Sequence, residues 1–295
     1  MTSEAAKLLG KKHKVLDRGF VVLVDVMGGD SSIVQAARVS YGKGTKSVSE
    51  DRSLIRYLMR HRHTTPFEMV EFKFHVMLPI FVARQWIRHR TANVNEYSAR
   101  YSILDDEFYI PDAAVLAEQS LSNRQGRDQV METEEAEKIR ALITENSEKT
   151  YALYEYLLNE EGAGEDPERG KLARELSRIV IPTNVYTQWY WKIDLHNLFH
   201  FLSLRLDEHA QYEIREYAEI MANMVQAAVP VAFEAFQDYR LNAMQLTSLE
   251  IAVLKTYLDK AEITEESLNA ACDAAGFTNK RERGEFKEKL KRFMT

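Results

Sequence analysis

Thiols are almost missing from this chain of 295 residues, which holds one cysteine, Cys272. A single thiol excludes an internal disulfide framework and fits a reducing compartment. Long apolar runs are missing too. No segment approaches the roughly 20 residues of a membrane span, and the polar start Met1-Thr2-Ser3-Glu4 carries no secretory pattern. The expectation is a soluble cytoplasmic protein with no membrane partner. Basic excess is lacking as well: 39 Lys and Arg face 45 Asp and Glu, a formal charge of −6. That argues against a general nucleic-acid surface, so any nucleotide is gripped in a local pocket.

What the chain does have is apolar bulk, 45% of its residues, enough for one large domain or two. Residues 20–26 read as a strand ending at Gly28-Gly29, and Asp30 or Ser31 can cap a short helix through Ile33, Ala36 and Ala37. Ser40 opens a Gly/Lys/Ser loop; a second helix through Leu54, Ile55, Leu58 and Met59 then ends in Arg60-His61-Arg62-His63. Val70, Phe72, Phe74, Val76 and Leu78 alternate with polar or mixed residues as a half-buried strand does. Pro79 suits the first position of the next helix, and a loop is expected beyond Arg90. Phe108-Tyr109-Ile110-Pro111 closes a further strand, and residues 119–130 read as mobile.

Ile139, Leu142, Ile143, Leu153, Tyr154 and Leu157 give one face of a long helix, and Asp166-Pro167 starts another that carries Arg174 and Arg178. Residues 185–194 alternate as a strand. Asp194 can cap the helix that holds His196, His200, Arg205 and His209, and more helices follow through Tyr239. The fold class expected is α+β, with a mixed or antiparallel sheet flanked by long helices in one large domain, 1–245. Residues 246–295 are expected to form a helical C-terminal extension without assigned chemistry.

The chemistry concentrates in residues 84–101. Arg84, Arg88, Arg90 and Arg100 share this stretch with His89, Glu96, two asparagines and Ser98, and it contains no lysine. Arg84 and Arg88 lie one helical turn apart, where like charges repel unless an anion sits between them. Guanidinium forks match phosphate oxygens in a bidentate way that an ammonium cannot. At a helix C-terminal end that grip comes from side chains and not from the helix dipole. A solvated charged helix end is the plainer reading, and the interleaved Trp86, Ile87 and Tyr101 weigh against it.

His61, His63 and His75, and then His196, His200 and His209, invite a metal reading. No Glu follows His196 and no cysteine lies near, so no metal is expected. Ser98 has no base nearby in sequence to activate it, and Cys272 reads as a buried helical residue of the tail.

The segment Arg88-His89-Arg90, Asn93, Asn95-Glu96, Ser98, Arg100-Tyr101 resembles the signature of the flavin-dependent thymidylate synthases. That signature reads Arg-His-Arg, two variable residues, Ser, one variable, Asn-Glu, one variable, Ser, one variable, Arg-Tyr; Asn93 replaces the first serine. The resemblance covers about residues 15–240. It implies FAD, NADPH and 5,10-methylenetetrahydrofolate as cofactors, dUMP as substrate and dTMP as product, without a cysteine nucleophile. It also implies a homotetramer whose sites are shared between subunits, which would explain why no glycine-rich dinucleotide fingerprint is present.

By motif position the resemblance makes Arg205 the catalytic residue, ionising the uracil ring at N3. It implies that Gln85, Arg88, Glu96, Tyr97, Ser98, Ala99, Arg100, Arg178 and Arg205 bind dUMP. Thr65, Arg88, His89, Arg90, Glu96, Asp194, His196 and His200 would bind FAD, with His63 and Tyr101 near the folate or nicotinamide. Asp194 and His196 stand where the family usually has Asn and Arg. Two other classes stay open on the residues alone: a non-catalytic sensor of a pyrimidine phosphate, and an RNA-binding protein with a stacking clamp.

Overall fold

Alternation of apolar and polar side chains builds the centre of the fold. The structure, a computed structural model, describes residues 2–39, 48–121, 126–161, 164–258 and 263–294. The chain falls into two units, Met1–Asn242 and Ala243–Thr295. The first begins with α1 (Ser3–Leu8), β1 (Lys12–Val15), β2 (Gly19–Met27), α2 (Asp30–Val39), α3 (Val48–Arg60) and α4 (Thr65–Glu68). It continues through β3 (Glu71–Pro79), α5 (Ile80–Trp86), β4 (Asn93–Glu96), β5 (Ala117–Gln119), β6 (Arg127–Val130), α6 (Thr133–Leu158) and α7 (Arg174–Ser177). It closes with β7 (Tyr186–Asp194), α8 (Leu195–Arg205), α9 (Tyr212–Ala228) and α10 (Pro230–Phe236).

Five strands form one sheet in the order β1-β2-β3-β7-β4 with every pairing antiparallel, so the α+β expectation resolves to an antiparallel sheet. β3 and β7 pair along their whole length, Glu71 opposite Asp194 and Pro79 opposite Tyr186. Phe72, Phe74, Val76 and Leu78 therefore share one buried face with Trp189, Trp191 and Ile193. Apolar residues of α8, α9 and α10, among them Phe201, Tyr217 and Phe236, complete this core. Gly19 lets α9 close on the sheet. A Cβ there would lie 2.1 Å from the Tyr217 hydroxyl, which donates to the Met77 carbonyl at 2.7 Å. The other sheet face carries Val22, His75 and Tyr190.

Trp86 fixes the end of α5. It is fully buried, with its ring 4.8 Å from Phe201, 5.3 Å from Trp191, 5.7 Å from Trp189 and 5.8 Å from Tyr217. A helix of seven residues has little stability of its own; packing of this indole holds it.

Several local expectations are corrected. Pro79 is the cap of α5, one residue before its start. Within the loop expected beyond Arg90, Asn93–Glu96 form the edge strand β4, because the free edge of β7 offers them backbone partners, while Ser98 lies in a turn as expected. Phe108 makes one bridge to Val185 and no strand. Within residues 119–130, β5 and β6 pair, and Arg127 ties the hairpin to the buried Glu213 at 2.5 Å and to the Val115 carbonyl; residues 122–125 lie outside the described set.

On α6 the buried positions are Ala136, Ser147, Tyr151, Tyr154 and Leu158, while Leu142 and Leu153 are exposed. Small and polar residues line that face, so a count of large aliphatics misplaces it. Asp166-Pro167 lies in a turn that the Asn159 amide clasps through Asp166 and Arg169, and the helix begins only at Arg174. Asp30 caps α10 and not its own helix: its carboxylate accepts from the Val231 and Ala232 amides at 3.0 and 2.9 Å. Most of the expected loop from Ser40 to Ser49, and Gly162-Ala163, lie outside the described residues.

The second unit contains α11 (Ser248–Leu258), α12 (Glu265–Ala274) and α13 (Lys280–Met294). Thr264 and Ser267 form a capping box, and Arg283 bonds the Asp273 carboxylate and the Asn269 carbonyl beside the buried Cys272. No described helix is long and apolar enough to cross a membrane.

The role of Trp86 is measurable. Trp86→Ala should lower unfolding stability by about 3–5 kcal/mol in urea titrations. Trp86→Phe should cost less, because the indole Nε1 has no hydrogen-bond partner to lose.

Candidate functional site

Because Trp86 is buried, the residues around it on the last turn of α5 face outward in fixed directions. Arg84 and Arg88 are exposed, Gln85 is half-buried with its Oε1 lacking a partner, and His89 turns inward. The His89 amide donates to the Trp86 carbonyl at 3.0 Å, so the indole anchor carries the imidazole with it. Among the described residues, Arg84, Arg88 and Arg90 have no acidic partner.

His89 meets the end of α8. Arg205 Nε donates to His89 Nε2 at 3.1 Å, and the His89 ring packs 4.9 Å from Phe201 and 5.9 Å from His200. Burial first, then the charges of Arg205 and His200, lower the His89 pKa to about 4. Burial also lowers the Arg205 pKa. The pair is a neutral imidazole and a desolvated cation.

His200 also borders a pocket of about 170 Å³ with Arg62, His63, His196, Ser203 and Arg240. Among the described residues no carboxylate lines it. Burial and the neighbouring Arg62 charge lower the Arg240 pKa, as expected for two cations sharing a partly dry space without a counter-ion. Arg62 caps α3 in the left-handed region, φ 60°, with its amide donating to the Met59 carbonyl and the His63 amide to Leu58. Glycine is usual at that position, and a larger residue there costs about 1 kcal/mol or more. His63 also lines an adjoining open cleft of about 650 Å³ that holds Thr65 and Tyr57.

A second group gathers on the turn after β4. Ser98 Oγ accepts from the Arg100 amide at 3.3 Å, so it is a turn residue and not an activated nucleophile. Arg100 pairs with Glu175 at 3.3 Å, and Arg178 Nε donates to the Glu175 carbonyl at 3.3 Å. Arg174 holds the Tyr101 carbonyl at 2.5 Å and is clamped by both oxygens of Glu160. Tyr151 and Tyr154 grip the backbone of Leu104, and the Tyr97 hydroxyl donates to the Ile103 carbonyl. The turn is thus fixed before any ligand arrives, with Ala99 buried beneath it and Tyr101 exposed.

The expected site residues therefore fall into two groups. His63, His196 and His200 line one pocket, with Thr65 in the cleft beside it, and His89, bonded to Arg205, lies against His200. Arg100 and Arg178 both contact Glu175, Ser98 accepts from the Arg100 amide, and Glu96 accepts from the Thr187 hydroxyl at 2.9 Å. Asp194 caps α8, and both of its oxygens bond Asn197. His75 lies on the other sheet face against Tyr190 and Gln188, and His209 pairs with Asp207. Among the described residues no group of three metal-ligating side chains gathers.

The sequence reading missed Arg62, Ser203 and Arg240 as pocket residues, and Glu160, Arg174 and Glu175 as supports of the turn. Arg62 was visible only as one of four cations at a helix end. Arg174 was noticed but had no partner to give it a role.

A family profile described as "Thymidylate synthase complementing protein" matches residues 22–231. The chain is 57% identical over 259 residues to a flavin-dependent thymidylate synthase of Ruegeria pomeroyi, covering 88% of this chain and 84% of that one. It is 57% identical over 260 residues to the enzyme of the same name from Gluconobacter oxydans, with the same coverage. Among solved structures it is similar to the UMP/dUMP methylase PolB from Streptomyces cacaoi bound with 5-Br dUMP. The TM-score there is 0.67 at 32% identity, over 78% of this chain and 99% of PolB. The chain belongs to the thymidylate synthase complementing protein family, the family of the flavin-dependent thymidylate synthases.

Proposed function

We propose that the protein methylates dUMP at C5 to give dTMP, taking a methylene group from 5,10-methylenetetrahydrofolate with FAD and NADPH. The observation that carries this is Arg205, a desolvated guanidinium with no carboxylate partner among the described residues, bonded to a His89 whose ring lies 5.9 Å from His200 of the basic pocket. Such a fixed charge stabilises negative charge as it develops on a ring. Uracil bound with N3 toward Arg205 loses its N3 proton more readily, which pushes electron density to C5. The first unit contains no cysteine, so activation through the ring anion replaces thiol attack.

The donor set fits FAD. Arg62, Arg240, His63, His196 and His200 surround a pocket with no carboxylate among the described residues that line it; this chemistry suits a pyrophosphate, and Arg88 and Arg90, which have no acidic partner among the described residues, are assigned to the same cofactor. Bound flavin, reduced by NADPH, supplies the hydride that completes the methyl group. Thr65, His89 and Glu96 are the remaining residues assigned to it. Asp194 contributes by placing His196 and His200, through its cap on α8.

For dUMP, Arg100 and Arg178 take the phosphate in place of the Glu175 contact, with the Ser98–Tyr101 turn holding them. Gln85, whose Oε1 is buried without a partner, and Arg88 complete the nucleotide site. His63 and Tyr101 border the folate or nicotinamide. The active form is a homotetramer with sites shared between copies. The separation of site residues into two groups on one chain supports this reading, as does the sheet face away from the core, where Tyr190 is exposed. The protein works in the cytoplasm without a nucleic-acid partner.

Three outcomes follow from this reading. Purified protein should be yellow and form dTMP, and Arg205→Ala should keep its flavin while turnover falls by about 100-fold or more. Arg178→Ala should raise KM for dUMP about tenfold or more, the loss of one charge-assisted phosphate contact at about 1.5–3 kcal/mol, with kcat little changed. The third outcome concerns pH. Between the ordinary histidine value near 6.5 and about 4, the unfolded chain holds a His89 proton that the folded chain does not. Stability should therefore fall as pH drops through that window, by less than about 1.4 kcal/mol per unit. Urea midpoints at several pH values should decline less steeply for His89→Gln.

A further inference from the structure

The arginines of this fold that are held inside it are mostly held by acids. Arg38 meets Asp51 at 2.6 Å, Arg56 meets Glu234 at 2.7 Å, and Arg174 is clamped by Glu160. Arg205 differs. Its one hydrogen bond among the described residues goes from Nε to the Nε2 of His89, an uncharged acceptor.

We propose that His89 is a positioning residue for Arg205: a neutral acceptor that sets the guanidinium plane and leaves its whole charge for the uracil anion. This rests on the assignment of Arg205 to the pyrimidine ring. The physical need is twofold. An arginine side chain has many rotamers, and stabilising a developing charge requires one of them. A carboxylate at the same place would fix the rotamer equally well but would cancel part of the field and oppose a second negative charge beside it. Imidazole fixes without cancelling.

Accepting at Nε2 places the ring proton on Nδ1. The charged groups facing the ring are Arg205 and His200, both on α8, and both resist a second proton on His89, as does its burial. Packing holds the plane: Phe201 meets the ring edge-on, its centre 4.9 Å away, and Trp86 sets the backbone through the His89 amide. A doubly protonated ring would turn a donor toward the Arg205 Nε–H and release the guanidinium.

The test compares three substitutions in the full-length protein. His89→Gln keeps a neutral acceptor, His89→Phe keeps a ring without one, and His89→Glu supplies an acceptor with charge. Two readouts are taken: steady-state kcat and KM for dUMP on flavin-loaded protein, and an ultraviolet difference titration of bound dUMP that reports ionisation at N3. The titration needs no flavin and so separates this role from any flavin contact. Gln should keep kcat within about tenfold, while Phe and Glu lose about 100-fold with KM for dUMP changed much less. Bound dUMP should ionise at lower pH on wild type and Gln than on Phe or Glu. Wild-type kcat or wild-type N3 ionisation in the Glu or Phe variant would overturn the proposal. A wild-type protein on which bound dUMP ionises at N3 at lower pH than free dUMP, yet which makes no dTMP, would overturn the proposed activity and leave the His89 assignment standing.

Discussion

Burial of one indole sets the geometry on which the rest relies. Trp86 enters the aromatic core between β7, α8 and α9, and with the buried Val82 and Ala83 it aims a short helix. Its neighbours in sequence are the polar residues of the site. The contacts that stabilise the fold thus also decide that Arg84 and Arg88 face outward and that His89 meets Arg205. A core side chain and a functional stretch share seven residues, so packing and chemistry here are hard to separate by mutation.

A second theme is positive charge left without an answer. Among the described residues, Arg62 and Arg240 share a small pocket with three histidines and no acid, and Arg205 bonds only an imidazole. Several other cations of the same unit are matched: Arg127 with Glu213, Lys192 with Glu71, Arg52 and Arg56 with Glu234. In a chain of formal charge −6, unmatched arginines are a choice of placement and not of supply. Each lowers stability slightly and each makes room for an anion. The left-handed backbone at Arg62 is the clearest case, since glycine would fit there without strain.

Much of this was legible in the sequence, for reasons that differ by element. β3 and β7 announced themselves through strict alternation, because each has one face in the core. Asp194 was readable as a cap because its bond is local. The RHR stretch was readable because arginines interleaved with large apolar groups are rarely mere solvent-facing charge. β4 was not readable: Asn93 and Asn95 disfavour strands, and what makes them one is the unpaired edge of β7, far away in sequence. The same holds for Asp30, whose partners on α10 come some two hundred positions later, and for the meeting of Arg62 with Arg240. The buried face of α6 was misplaced because Ala136 and Ser147 carry no strong hydrophobic signal.

The central claim is that guanidinium groups from α5, the turn after β4, the end of α7 and the end of α8 serve one pyrimidine nucleotide beside a flavin. A crystal structure of the protein with FAD and dUMP tests it most directly. The account predicts the phosphate on Arg100 and Arg178, uracil N3 facing an Arg205 still bonded to His89, and the flavin pyrophosphate among the arginines and histidines of the pocket. Uracil bound away from Arg205, with that guanidinium turned to solvent, would contradict it.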